Sequence, residues 1–162
     1  ISGDAWERYG QDNDWYYEVV DLGYKYNTTD LQSSIGLVQL EKLEWMANER
    51  EQIANKYIAA FSGEIDFIYP NKSHKSSWHL FVIKVQNRDE LHNLLKENGI
   101  KTSVHFIPLH LHPYYKNKLL IDEKSFPIAN RVFQKSLSLP IYPGLTKVEI
   151  NYIIEKVLLF AK

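Results

Sequence analysis

The chain has 162 residues, with 19 Lys and Arg against 20 Asp and Glu for a formal net charge of −1. Its basic residues are dispersed, which excludes nucleic-acid binding driven by a basic face. The absence of cysteine excludes disulfides, thiolate metal sites and cysteine nucleophiles.

No apolar run approaches the roughly 20 residues that a membrane span needs. The polar start Ile1-Ser2-Gly3-Asp4 has no apolar signal-peptide core, so no membrane association and a cytoplasmic location are expected. A start on Ile rather than Met predicts a processed chain or part of a longer one. Hydrophobic residues make up 44%, enough for one domain or one lobe of something larger.

In chain order, residues 1–22 mix Asp, Gly and aromatics without a sustained period, although Trp15-Tyr16-Tyr17-Glu18-Val19-Val20 predicts a short strand. Gly23-Tyr24-Lys25-Tyr26-Asn27 then forms an aromatic loop. It runs into a helix start, where Thr29 can cap, Asp30 sits in the first turn and Gln32 lies at capping-box spacing. A loop ending on a helix N-terminus offers unpaired N–H groups and a positive dipole end, which suits a phosphate. Asn27 adds an amide and Lys25 a charge.

Leu31, Ile35, Val38, Leu43, Met46, Ile53, Tyr57 and Phe61 recur near a 3.6-residue period, predicting one long helix over 28–61. Gly36 inside it suggests a close helix contact. Trp78 to Val85 predicts a buried strand and Arg88 to Glu97 a helix capped by Asn87 and closed at Asn98-Gly99. Ile100 to Ile107 predicts a second strand stopped by Pro108. Pro127 starts a helix that runs to Leu137, Ser138 to Ile141 is a short edge segment, and Thr146 with Glu149 caps a last helix ending near Ala161. The pattern is α+β, a layer of helices on a small sheet.

The histidines are the other chemical feature. His105, His110 and His112 follow the second predicted strand into a Pro-rich loop. Two imidazoles on one side of an extended segment can ligate a metal, but no HExxH motif or neighbouring carboxylate completes a set, and no metal is expected. Contact of this cluster with a polar ligand at a strand end, or plain solvation of the three histidines in the loop, suits the pattern better. His79, within the first predicted strand, reads by default as a core-edge histidine with one hydrogen bond. No Gly-rich phosphate loop, nucleophile elbow or other complete catalytic set is present.

Taken together, Gly23-Tyr24-Lys25-Tyr26-Asn27-Thr28-Thr29-Asp30, Trp78-His79-Leu80-Phe81, Gly99-Ile100-Lys101-Thr102-Ser103-Val104-His105-Phe106 and Leu137-Ser138-Leu139-Pro140-Ile141-Tyr142-Pro143-Gly144-Leu145-Thr146 resemble the pyridoxal-phosphate-dependent nucleotide-sugar aminotransferases of the DegT/StrS type. The resemblance covers residues 23–160. It implies the C-terminal small domain of an aspartate-aminotransferase-type fold, with a long N-terminal helix and further helices packed on a small sheet. Residues 1–27 become a lead segment and cofactor-phosphate loop, 28–62 an interdomain or interface helix, and 63–162 the small domain.

The resemblance also implies pyridoxal 5'-phosphate as cofactor, a nucleotide-sugar substrate, glutamate as amino donor, a homodimer partner and a large N-terminal domain outside this sequence. Asn27, with Lys25 and Tyr26 beside it, would reach the cofactor phosphate of the partner subunit. Tyr24, His79, His105 and His110 would line the substrate site. No lysine here matches the family's Schiff-base lysine, so no catalytic residue is assigned and the chain alone is expected to be inactive. The rival is a non-enzymatic module for small-ligand binding or dimerisation.

Overall fold

The computed structural model describes residues 21–24, 26–71, 73–120 and 122–161. The expected strand at Trp15–Val20 and the side chain of Lys25 lie outside the described residues. The chain divides into two compact units, residues 1–40 and 41–162.

In the first unit, α1 begins at Asp30 and runs as Asp30–Glu41. Its start is built as the sequence predicts. The Gln32 N–H donates to Thr29 Oγ1 at 3.3 Å, and the Thr29 N–H donates to Gln32 Oε1 at 3.0 Å. α1 buries none of its residues: Leu31, Ile35, Leu37, Val38 and Leu40 are all exposed. Gly36 does not mediate a close contact among the described residues, because a Cβ built there meets nothing within 4 Å.

The expected single long helix is two helices. Lys42 interrupts it, and α2 runs Leu43–Phe61. No proline or glycine marks the break. The periodicity continues through it, but among the described residues only α2 buries side chains. Ile53, Tyr57 and Phe61 form its buried stripe, at the i, i+4 and i+8 positions of one face, with Ala54 buried beside them.

The second unit is a three-stranded antiparallel sheet with helices against it. β1 is Asp66–Phe67, β2 Phe81–Lys84 and β3 Ser136–Leu139, in the order β1-β2-β3. The register pairs Phe81 with Leu139, Val82 with Ser138, Ile83 with Leu137 and Lys84 with Ser136. Alternation then gives the sheet two different faces. Phe81, Ile83, Leu137 and Leu139 enter the apolar core with α2, α3 (Arg88–Glu97) and the last helix. Phe81 is its hub, with ring centroids 5.0 Å from Tyr57, 5.6 Å from Phe67 and 5.8 Å from Trp78.

The other face carries Ser136 and Ser138. Both serines are buried, so each hydroxyl needs a partner. Ser136 donates to the Val132 carbonyl at 2.8 Å, and Ser138 Oγ lies 2.9 Å from His105 Nδ1.

The expected strand from Trp78 starts later. Trp78 sits at φ +47, outside extended geometry, and the ladder begins at Phe81. The second expected strand, residues 100–107, forms no strand. Among the described residues its backbone pairs with β3 only where Ser103 and Ser138 exchange N–H···O bonds of 3.1 and 2.8 Å. α3 ends in a Schellman motif: Ile100 N–H reaches the Leu95 carbonyl at 2.8 Å and Gly99 N–H the Lys96 carbonyl at 3.0 Å, with Gly99 at φ +77. Asn87 occupies the N-cap of α3, but its side chain instead donates to the Phe160 carbonyl at 3.1 Å. A 3₁₀ turn at Leu109–Leu111 leads into α4 (Pro113–Leu119), and α5 (Pro127–Lys135) starts on proline as expected. α6 (Lys147–Phe160) carries the complete Thr146/Glu149 capping box.

Candidate functional site

In the second unit, Ser136 of β3, the segment from Val104 to Pro108 and α5 border an open cavity of about 610 Å³. That size suits a small organic ligand. Its walls are mostly apolar, from Val104, Phe106, Phe126 and Val132, and His105 is among the lining residues.

His105 is held in two ways. Its Nδ1 meets the Ser138 hydroxyl, and its ring stands edge-on to Phe106 with centroids 5.0 Å apart. Its Nε2 makes no hydrogen bond among the described residues. The cavity thus offers an oriented imidazole on an apolar background.

His110 does not line this cavity. It is buried, its Nε2 lies 2.6 Å from Asn130 Oδ1, and its ring packs 4.7 Å from Phe126. It fastens the loop after His105 to α5, behind the wall. His112 Nε2 is 3.3 Å from the Ile107 carbonyl. The three histidines are therefore spent on separate partners, and no group of three metal-ligating side chains occurs among the described residues. His79 is exposed, sits just before β2, and does not line the cavity.

α5 is the element that sequence reasoning passed over as a wall. Ile128 and Val132 leave apolar surface exposed, four residues apart on one helix, and that spacing was the available signal. Arg88, buried in the first turn of α3, holds its far end. Its Nη1 donates to the Phe133 carbonyl at 3.2 Å, and the guanidinium lies 5.2 Å from the Phe133 ring centroid.

The first unit holds the other candidate region, the loop before α1. Tyr24 and Tyr26 are exposed and their rings stack 5.5 Å apart. Asn27 is exposed, and its amide has no partner among the described residues. Thr29 takes the Gln32 N–H, which leaves the N–H groups of Asp30 and Leu31 without acceptors among the described residues. An amide beside two free N–H groups fits one edge of a phosphate. The Asp30 carboxylate in the same turn already complements the helix dipole, so these residues make a contributing edge rather than a closed cradle.

The chain is 43% identical to the uncharacterized protein MJ1066 of Methanocaldococcus jannaschii over 165 residues, covering 97% of this chain and 43% of that protein. It is 41% identical to the spore coat polysaccharide biosynthesis protein SpsC of Bacillus subtilis over 166 residues, covering 97% of this chain and 43% of SpsC. Among solved structures it resembles Spr1654 of Streptococcus pneumoniae, described as a sugar aminotransferase in its PMP form. There the TM-score is 0.81 and the identity 31%, over 96% of this chain and 40% of that one. Spr1654 is also solved in apo and PLP forms. The chain thus spans about two-fifths of the length of the proteins it matches. No helix among the described residues is long and apolar enough to cross a membrane. The family profile matches residues 2–158, and the chain belongs to the DegT/DnrJ/EryC1/StrS aminotransferase family.

Proposed function

We propose that this chain is the C-terminal part of a cytoplasmic sugar aminotransferase that moves an amino group from glutamate to a nucleotide-linked keto-sugar, for surface polysaccharide or amino-sugar synthesis. The observation that carries this reading is the family match over residues 2–158, which takes in the Asn27 loop, the His105 segment and the closing Leu137–Thr146 motif.

Pyridoxal 5'-phosphate, when bound, supplies the electron sink for exchanging an amine with a carbonyl. The lysine that holds it belongs to a segment outside this sequence, and the chain alone transfers no amino group. Asn27 donates its amide to the cofactor phosphate of a partner subunit, with Lys25 and Tyr26 beside it. Tyr24, in the same loop, meets the substrate. His105 meets the substrate from the cavity wall, and His110 serves the site by holding the loop and α5 in place. His79, just before β2, meets the substrate from outside this cavity.

The apolar side chains of α1 support the same reading. A helix exposing Leu31, Ile35, Leu37, Val38 and Leu40 has surface to bury, and an N-terminal large domain and a second subunit would bury it.

The test is an amino-transfer assay on the complete protein with glutamate and a panel of nucleotide-linked keto-sugars, alongside Asn27→Ala. Turnover by the complete protein, none by residues 1–162, and about tenfold weaker cofactor retention in Asn27→Ala are expected, the last from losing one charge-assisted hydrogen bond. Turnover by residues 1–162 alone, or unchanged cofactor affinity in the variant, would overturn the corresponding assignment.

A further inference from the structure

β3 reads Ser136-Leu137-Ser138-Leu139 and is buried along its whole length. A serine in such a strand is costly unless its hydroxyl is bonded. Ser138 is 5% exposed, and among the described residues the one partner of its Oγ is His105 Nδ1 at 2.9 Å. The geometry is fixed from both sides. Ser103 and Ser138 exchange backbone hydrogen bonds, which pins the chain two residues before His105 against β3.

A neutral imidazole has one N–H and one bare nitrogen. If Nδ1 carried the proton and donated it, the buried Ser138 hydroxyl would accept that bond and leave its own proton without an acceptor. A buried donor in that state carries a full desolvation penalty. If the hydroxyl donates instead, its proton and the bare Nδ1 satisfy each other, and the ring proton sits on Nε2. Nε2 has no partner among the described residues, and His105 is one of the residues lining the cavity.

We infer that Ser138 is a positioning residue, whose hydroxyl donates to His105 Nδ1, holds the neutral ring in its Nε2-protonated form, and so presents an N–H to an oxygen acceptor on the ligand of this cavity. The ligand class is a molecule with an apolar or ring-shaped body, to suit Phe106 and Phe126, carrying a hydroxyl, carbonyl or phosphoryl oxygen where Nε2 can reach it. That this ligand is the substrate rests on the aminotransferase reading; the state of the ring does not.

Two measurements separate the claims. Nitrogen-15 NMR of the histidine rings in this chain, taken well above the ordinary histidine titration range, reads the tautomer directly. His105 is expected Nε2-protonated by tenfold or more. Ser138→Ala is expected to give a mixed ring, and Ser138→Thr to restore the single form. A wild-type His105 protonated on Nδ1 overturns the inference even if no variant folds, and so does an unchanged pattern in Ser138→Ala.

In the complete enzyme, Ser138→Ala is expected to raise the substrate KM about tenfold with kcat within twofold, and Ser138→Thr to restore it. A fall in kcat alone, or no change, overturns the link to substrate. An enzyme without amino-transfer activity refutes the aminotransferase reading and leaves the NMR result to decide the tautomer.

Discussion

Replacing Tyr57 with Phe removes one oxygen from the core and changes almost nothing else. Tyr57 is fully buried on α2, and its hydroxyl donates to the Pro140 carbonyl at 2.9 Å across 83 positions of sequence. A hydrogen bond of this kind contributes about 0.5–1.5 kcal/mol net, and the carbonyl left behind adds to the cost. Pro140 is only half-buried, so water can reach part of it and the addition is small. The loss should be about 1–2 kcal/mol, against a total stability of roughly 5–15 kcal/mol for a domain. For a unit of this size that lowers Tm by about 3–10 °C.

The same residue predicts a pH effect. Burial, with the nearby Tyr142 adding to it, pushes the Tyr57 phenol well above the ordinary tyrosine range. The unfolded chain ionises this tyrosine near its ordinary pKa of about 10, while the folded chain keeps it neutral. The native state then holds more protons than the unfolded one, so stability falls as pH rises above that value. Urea unfolding of wild type and Tyr57→Phe between neutral pH and about pH 11 measures both effects. Wild type should be the more stable at neutral pH and should lose that advantage as the pH climbs above 10. A variant equal to wild type at pH 7, or parallel curves above pH 10, would refute the assigned bond and burial.

Other expectations follow from single contacts. Thr146→Ala removes the N-cap of α6 and should cost about 1 kcal/mol by denaturant melt. Hydrogen bonds from Thr146 hold the Glu149 carboxyl below the ordinary carboxylate range, so the contribution of this cap is present at neutral pH and fades as acid protonates the carboxylate; Glu149→Gln should flatten that acid dependence. Gly99→Ala places a Cβ at φ +77 and should destabilise the end of α3 by about 1 kcal/mol, read as loss of amide-exchange protection at Ile100. His110→Ala leaves Asn130 Oδ1 without its 2.6 Å partner and opens the packing on Phe126, and should cost about 1–3 kcal/mol with faster proteolysis between residues 105 and 112.

Local chemistry carried the features that the sequence made legible. The Thr29/Gln32 and Thr146/Glu149 boxes, Gly99 after α3, and Pro127 at the start of α5 each act within a few residues, and each stands where its pattern predicts. What failed depended on distant partners. The run through Lys42 keeps its period, yet among the described residues only the second helix buries side chains. Residues 100–107 have strand composition, but β3 offers them a ladder only at Ser103.

The candidate site divides the same way. His105 was legible as a polar group at the end of an apolar run. That His110 would be consumed by Asn130, twenty positions away on α5, was written in no local pattern. The pairing of His105 with Ser138 likewise depends on which face of β3 the register exposes.

The central claim is that this chain works as the C-terminal part of a pyridoxal-phosphate enzyme whose cofactor lysine lies elsewhere in the protein. Borohydride reduction of the complete, cofactor-loaded protein fixes the cofactor to the lysine that holds it, and peptide mass mapping locates that lysine. The account predicts a single pyridoxyl-labelled lysine outside residues 1–162. A label on Lys25 or any other lysine within them would contradict it.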